Sequence, residues 1–165
     1  MTEKFEKHLT ADEEGVTAVS LLAKNTTLSH QQIKKTMTNG AVWLESKTGI
    51  NRIRRGKKVL HKGDTLHLYY DSKIQSQTPD TAELIADEGD YSIWNKPYGM
   101  YSQGTKWGDH CTIYRWAESQ LQRPSFLVHR LAGMARVLQN QPDRSHVPPL
   151  PGTFGIDHRT AALSL

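Results

Sequence analysis

Apolar positions in the first half of the chain recur in two rhythms. Val16, Val19, Leu22 and Ala23 are spaced for one face of a helix that Asn25 closes. Ser29 followed by Gln32 has capping-box spacing and opens a second helix. Ile33 and Met37 share one face of it, while Lys34 and Lys35 point elsewhere. Gly40 stands where a left-handed helix end is wanted. Ala41–Leu44 then reads as a short strand, and NRIRRGKK (51–58) as a basic loop. His61-Lys62-Gly63-Asp64 turns into Thr65–Tyr70, where Leu66, Leu68 and Tyr70 alternate as on a half-buried strand.

The second half opens with a polar stretch, 72–81, that reads as a linker. Leu84–Ala86 and Tyr91–Trp94 form two strands joined by an acidic turn, Asp87–Asp90. Asn95-Lys96-Pro97 ends the second strand and begins a loop through Gly99 and Gly104. Ile113, Trp116, Ala117 and Leu121 mark a helix capped by Asp109 or Thr112. Phe126–Val128 is a short apolar strand running into His129-Arg130-Leu131. From 132 onward neither rhythm persists. Residues 132–165 hold four of the seven prolines and no Lys, Glu, Trp or Tyr, the composition of a disordered tail.

Charge divides the chain in the same places. Residues 1–15 form an acidic leader with two Lys against five acids. Residues 20–71 carry ten Lys and Arg against three acids, whereas 72–131 are almost balanced, with six against seven. A basic block followed by a neutral one reads as a polyanion-binding module attached to a second unit. No run of 18 apolar residues occurs, and the first residues hold no apolar stretch, so no membrane span or secretory signal is expected. Cys111 is the single cysteine, which leaves no internal disulfide and fits a reducing cytoplasm.

Two explanations fit the basic block. One is a solvated face on a small α+β domain. The other is RNA binding, in which Lys34, Lys35, Arg52, Arg54, Arg55, Lys57 and Lys58 meet phosphates, with Ser29 and His30 donating at the helix start. LSHQQIKKTMTNGAVWL and GDTLHLYY resemble the helix–loop–strand core and closing strand of the S4 RNA-binding domain. That resemblance implies a surface that grips structured RNA by shape and backbone. The insert SKTGINRIRRGKK between the strands is longer than the family pattern.

ELIADEGDYSIWNKPYGMYSQG and FLVHRL together resemble the opening of an RluA-type RNA pseudouridine synthase, whose members carry an S4 module in front. The resemblance implies an α+β chain: a small S4-like (αL) RNA-binding domain over 16–71, then over 82–131 the beginning of an incomplete, mostly antiparallel catalytic domain. It also implies isomerisation of uridine to pseudouridine in ribosomal or transfer RNA, with structured RNA as the partner, a cytoplasmic monomer, and no cofactor or metal. In that family His-Arg-Leu is followed by the catalytic Asp, then Arg, two variable residues, Ser and Gly. Here His129, Arg130 and Leu131 are followed by Ala132. A methyl group is neither nucleophile nor base, so no catalytic residue is intact and the chain is expected to be inactive. Asn95, Lys96 and Pro97 are the other matching motif residues.

Two origins fit the break at Leu131. One extra base after the first base of the Ala132 codon lets the following codons encode Asp-Arg-Asp-Gly-Ser-Gly, so a single-base deletion accounts for Ala132 and the tail. A truncated paralogue in which Ala132 is native accounts for it as well. Three functional expectations result: a synthase by descent without chemistry, an RNA-binding module alone, or a protein-interaction remnant. His110-Cys111 is adjacent but lacks an orienting acid, and His129 lacks partners for a metal.

Overall fold

The computed structural model describes residues 3–125 and the strands 127–131 and 134–138. It is mixed α and β, with two four-stranded sheets, each antiparallel throughout.

The first sheet has the order β1-β4-β2-β3, formed by β1 (Lys4–Thr10), β2 (Val42–Ser46), β3 (Gly49–Arg52) and β4 (Thr65–Asp71). Helices α1 (Ala18–Asn25) and α2 (His30–Thr38) cover one face. The alternation expected in β4 buries Leu66, Leu68 and Tyr70 against Leu22, Ile33, Met37, Val42 and Leu44. Each such side chain contributes roughly 1.5–3 kcal/mol through burial. The capping box of α2 is complete: Gln32 N–H donates to Ser29 Oγ at 3.2 Å, and Ser29 N–H donates to Gln32 Oε1 at 2.8 Å. Gly40 takes φ +81°, as its place after α2 requires.

Three local expectations need correction. The acidic leader is not outside the module. Residues 4–10 form β1, paired along their length with β4, and Phe5 packs on Tyr70 at 5.2 Å between ring centroids. Only Phe5 and Leu9 of β1 are apolar, so the interspersed charges hid a half-buried strand. The basic loop begins as a strand, because Arg52 pairs with Trp43 in β3. The linker is docked at its start: Asp71 caps the short helix α3 (Ser72–Gln75), and Gln75 is buried.

The second sheet has the order β5-β6-β8-β7, from β5 (Glu83–Asp87), β6 (Tyr91–Asn95), β7 (Leu127–Leu131) and β8 (Met134–Leu138). Helix α4 (Ile113–Leu121), capped by Thr112 and not Asp109, packs beside it. Trp94, Met100, Ile113, Ala117 and Ala82 form this smaller core. β8 corrects the expected tail. Residues 134–138 lie between β6 and β7 and satisfy ladder hydrogen bonds that the inner edge of β6 would otherwise leave open. The remainder of 132–165 lies outside the described residues. Among those described, no helix is long and apolar enough to cross a membrane.

Candidate nucleic-acid interface

The residues proposed for phosphate contact divide into two groups. Lys34 and Lys35 are exposed on α2, and Arg55, Lys57 and Lys58 are exposed on the loop after β3. The turn at Gly56 lies against α2, with Lys34 Cγ 3.8 Å from where a Gly56 Cβ would stand. Backbone bonds from Ala18 to Lys58 O (2.9 Å) and from Val19 to Gly56 O (3.1 Å) tie the loop to the start of α1. Helix and loop therefore lie side by side, and the five exposed cations cluster on them. Among the described residues none of these five side chains has a carboxylate partner. His30 is exposed at the first position of α2, where the helix has N–H groups without intrahelical acceptors. Ser29 is exposed, and its Oγ accepts the capping bond from Gln32 N–H, which leaves the hydroxyl proton free to donate.

Arg52 and Arg54 belong to a different arrangement. Both are only partly exposed and reach Asp109 of the 104–112 loop. Arg54 Nη2 lies 2.5 Å from Asp109 Oδ2, and Arg52 Nη1 and the Tyr114 hydroxyl bond to the same oxygen. Arg52 also donates to Thr105 O at 2.8 Å and stacks over Trp43, 4.3 Å from the ring centroid. Arg54 donates to Thr38 O at the end of α2, at 2.9 Å. The loop is held from several sides. Asp109 N–H donates to Asn39 O (2.9 Å), Trp43 Nε1 to Lys106 O (3.2 Å), and Gln75 Nε2 to Trp107 O (3.1 Å). Lys106 pairs with Glu6, and Trp107 packs edge-on against Tyr69.

This clamp joins the two sheets, and its electrostatics are uneven. Burial alone pushes the Asp109 carboxyl up, but hydrogen bonds from Arg54 and Tyr114 and the charges of both arginines hold it below the ordinary Asp value. Burial, with the Asp109 bond and charge, pushes Tyr114 up to about 12. Three donors converge on Oδ2, while Asp109 Oδ1 and Arg52 Nε are buried without partners. Oδ1 lies so close to Gly40 that a Cβ there would stand 2.3 Å from it.

The motif residues of the second unit have structural surroundings. Asn95 is exposed at the end of β6, 3.4 Å from Glu83. Lys96 Nζ donates to Met100 O at 2.6 Å and to Pro97 O at 3.3 Å, so it staples the following loop. In the ladder Asn95 faces Met134, which faces Leu131. The start of NKP and the end of HRL are thus two strands apart, roughly 10 Å. Ala132 lies outside the described residues, as do the side chains of His129, Arg130 and Leu131. His110 and Cys111 make no dyad: His110 Nε2 donates to Gln77 O at 3.0 Å, and burial and then Asp80 push the Cys111 thiol up. The cleft beside them, lined by Ile74, Tyr101 and Thr112, holds about 120 Å³, short of the roughly 300–1,000 Å³ of ordinary ligand pockets.

No motif or spacing in the sequence points to the Asp109–Tyr114 pair. Its one trace was an acid set among Gly104, Gly108 and Trp107. No protein-family model matches the chain, and no curated protein sequence matches it.

Proposed function

We propose that this chain is a structured-RNA-binding protein descended from an RluA-type pseudouridine synthase, with the S4-like module retained and the chemistry lost. The observation that carries the binding half is the cluster of five exposed cations on α2 and its neighbouring loop, Lys34, Lys35, Arg55, Lys57 and Lys58, none with a carboxylate partner among the described residues. Clustered cations without neighbouring acids leave a positive field that attracts a polyanion. A helix beside a loop, with no deep pocket, suits a backbone read by shape rather than a single nucleotide. What supports the ancestry is the motif pair, NKP and HRL, at strand ends two ladders apart. What supports the loss of chemistry is Ala132, where the family needs a carboxylate close to the ribose.

The test is fluorescence anisotropy with a labelled ribosomal RNA stem-loop. Lys34→Glu with Lys35→Glu abolishes binding. Lys7→Glu with Lys73→Glu, two exposed cations elsewhere with the same change in net charge, leaves most of it. Equal loss in the two variants, or no binding by the unaltered chain, overturns the reading.

A further inference from the structure

We infer that the Asp109 clamp is a latch loosened by RNA: a backbone phosphate bound on the cationic face competes with Asp109 for Arg54 and Arg52. This rests on the RNA-binding reading above.

Three observations lead to it. The node carries two guanidinium charges against one carboxylate, because Tyr114 stays neutral far above physiological pH. It therefore has one positive charge left over in a mostly buried place. Its hydrogen bonding is incomplete, since Arg52 Nε and Asp109 Oδ1 are buried and unpartnered. A buried polar atom without a partner costs more than one solvated or bonded, so closure is penalised where opening is not. Access is already present: the side chains of Arg54 and Arg52 retain 27% and 16% of their exposure, whereas Asp109 retains 1%.

The geometry connects the node to the RNA face. Arg54 adjoins Arg55 in sequence and bonds to Thr38 O, one turn beyond Lys35 on α2. A backbone running along Lys34, Lys35 and Arg55 passes the end of α2, where Arg54 lies. A phosphate offers more acceptor sites than the one crowded Oδ2, and each arginine can bind it in bidentate fashion. Loss of Asp109 from the arginines removes the centre of the 104–112 clamp, leaving Trp43, Gln75 and Glu6 to hold the loop at its flanks.

Hydrogen exchange on the intact chain, with and without the RNA stem-loop, tests this. With RNA, amides in α2 exchange more slowly and amides of residues 104–112 faster, by several-fold. Protection of α2 with unchanged or slower exchange at 104–112 overturns the latch and leaves the RNA reading standing. No protection of α2 overturns both. Inorganic phosphate at matched phosphate concentration leaves 104–112 unchanged, because it lacks the anchorage of the lysine face; an equal effect from free phosphate overturns the RNA-gated form. Asp109→Asn exchanges rapidly at 104–112 without RNA and binds the stem-loop severalfold more tightly. Tyr114→Phe, which keeps both ion pairs, lies between it and the unaltered chain. Weaker binding by folded Asp109→Asn contradicts competition.

Discussion

Substituting Gly40 separates the clamp from ordinary backbone strain. Gly40 and Gly63 both adopt left-handed φ, +81° and +93°, and alanine is strained at either. At Gly63 the added Cβ meets open space, so Gly63→Ala measures the strain alone, about 1–2 kcal/mol. At Gly40 the added Cβ stands 2.3 Å from Asp109 Oδ1 and 2.7 Å from Arg54 Nη1. The carboxylate must leave, and the two ion pairs go with it. Removing one partner of a fully buried pair costs about 3–5 kcal/mol. Here the arginines are partly solvated and the displaced groups reach water, which reduces that to roughly 1–2 kcal/mol. Gly40→Ala is therefore expected to destabilise by about 2–4 kcal/mol, and by more than Gly63→Ala. With a urea slope of about 1–3 kcal/mol per molar, the two midpoints differ by roughly 0.3–2 M. Coincident midpoints would refute the clamp as a source of stability.

The clamp also makes a prediction at each end of the pH scale. Asp109 is held below its ordinary value of 3.8, so its contribution is present above that pH and is lost only as pH falls through the lower folded value. The indole N–H resonance of Trp43, bonded to Lys106 O, should keep its shift from neutrality down to that point. Tyr114 is raised from 10.0 to about 12, so its neutral form stabilises the fold fully below pH 10, and that contribution fades between 10 and 12. Carbon-13 labelling of tyrosine should show one ring titrating about two pH units late, and Asp109→Asn should bring it back toward 10. With RNA tritiated at uridine C5, the purified chain should release no tritium; turnover would show that another group supplies the missing carboxylate.

Features set by neighbours in sequence were legible before the structure. The capping box at Ser29 and Gln32, the left-handed Gly40 and the alternation of Leu66, Leu68 and Tyr70 each depend on a few adjacent residues. β1 was not legible, because its pairing with β4 spans some sixty residues of sequence and its own charges conceal the period. The cationic run failed as a unit for a reason of geometry. Arg52 and Arg54 reach the buried Asp109, while Arg55, Lys57 and Lys58 stay exposed. Nothing near Arg52 in sequence announces an acid more than fifty residues later. The strand at 134–138 was hidden by the change in composition after Leu131, although its backbone completes the second sheet.

The salt dependence of RNA affinity tests the account most directly. Log affinity for the stem-loop against log potassium chloride concentration should fall with a slope of about −3.5 to −4.5, from five phosphate contacts at roughly 0.7–0.9 each. Lys34→Glu with Lys35→Glu, wherever residual binding remains measurable, should flatten that slope by about 1.4–1.8. A slope near zero, or one unchanged by the two substitutions, would contradict an RNA-binding face on α2 and its loop.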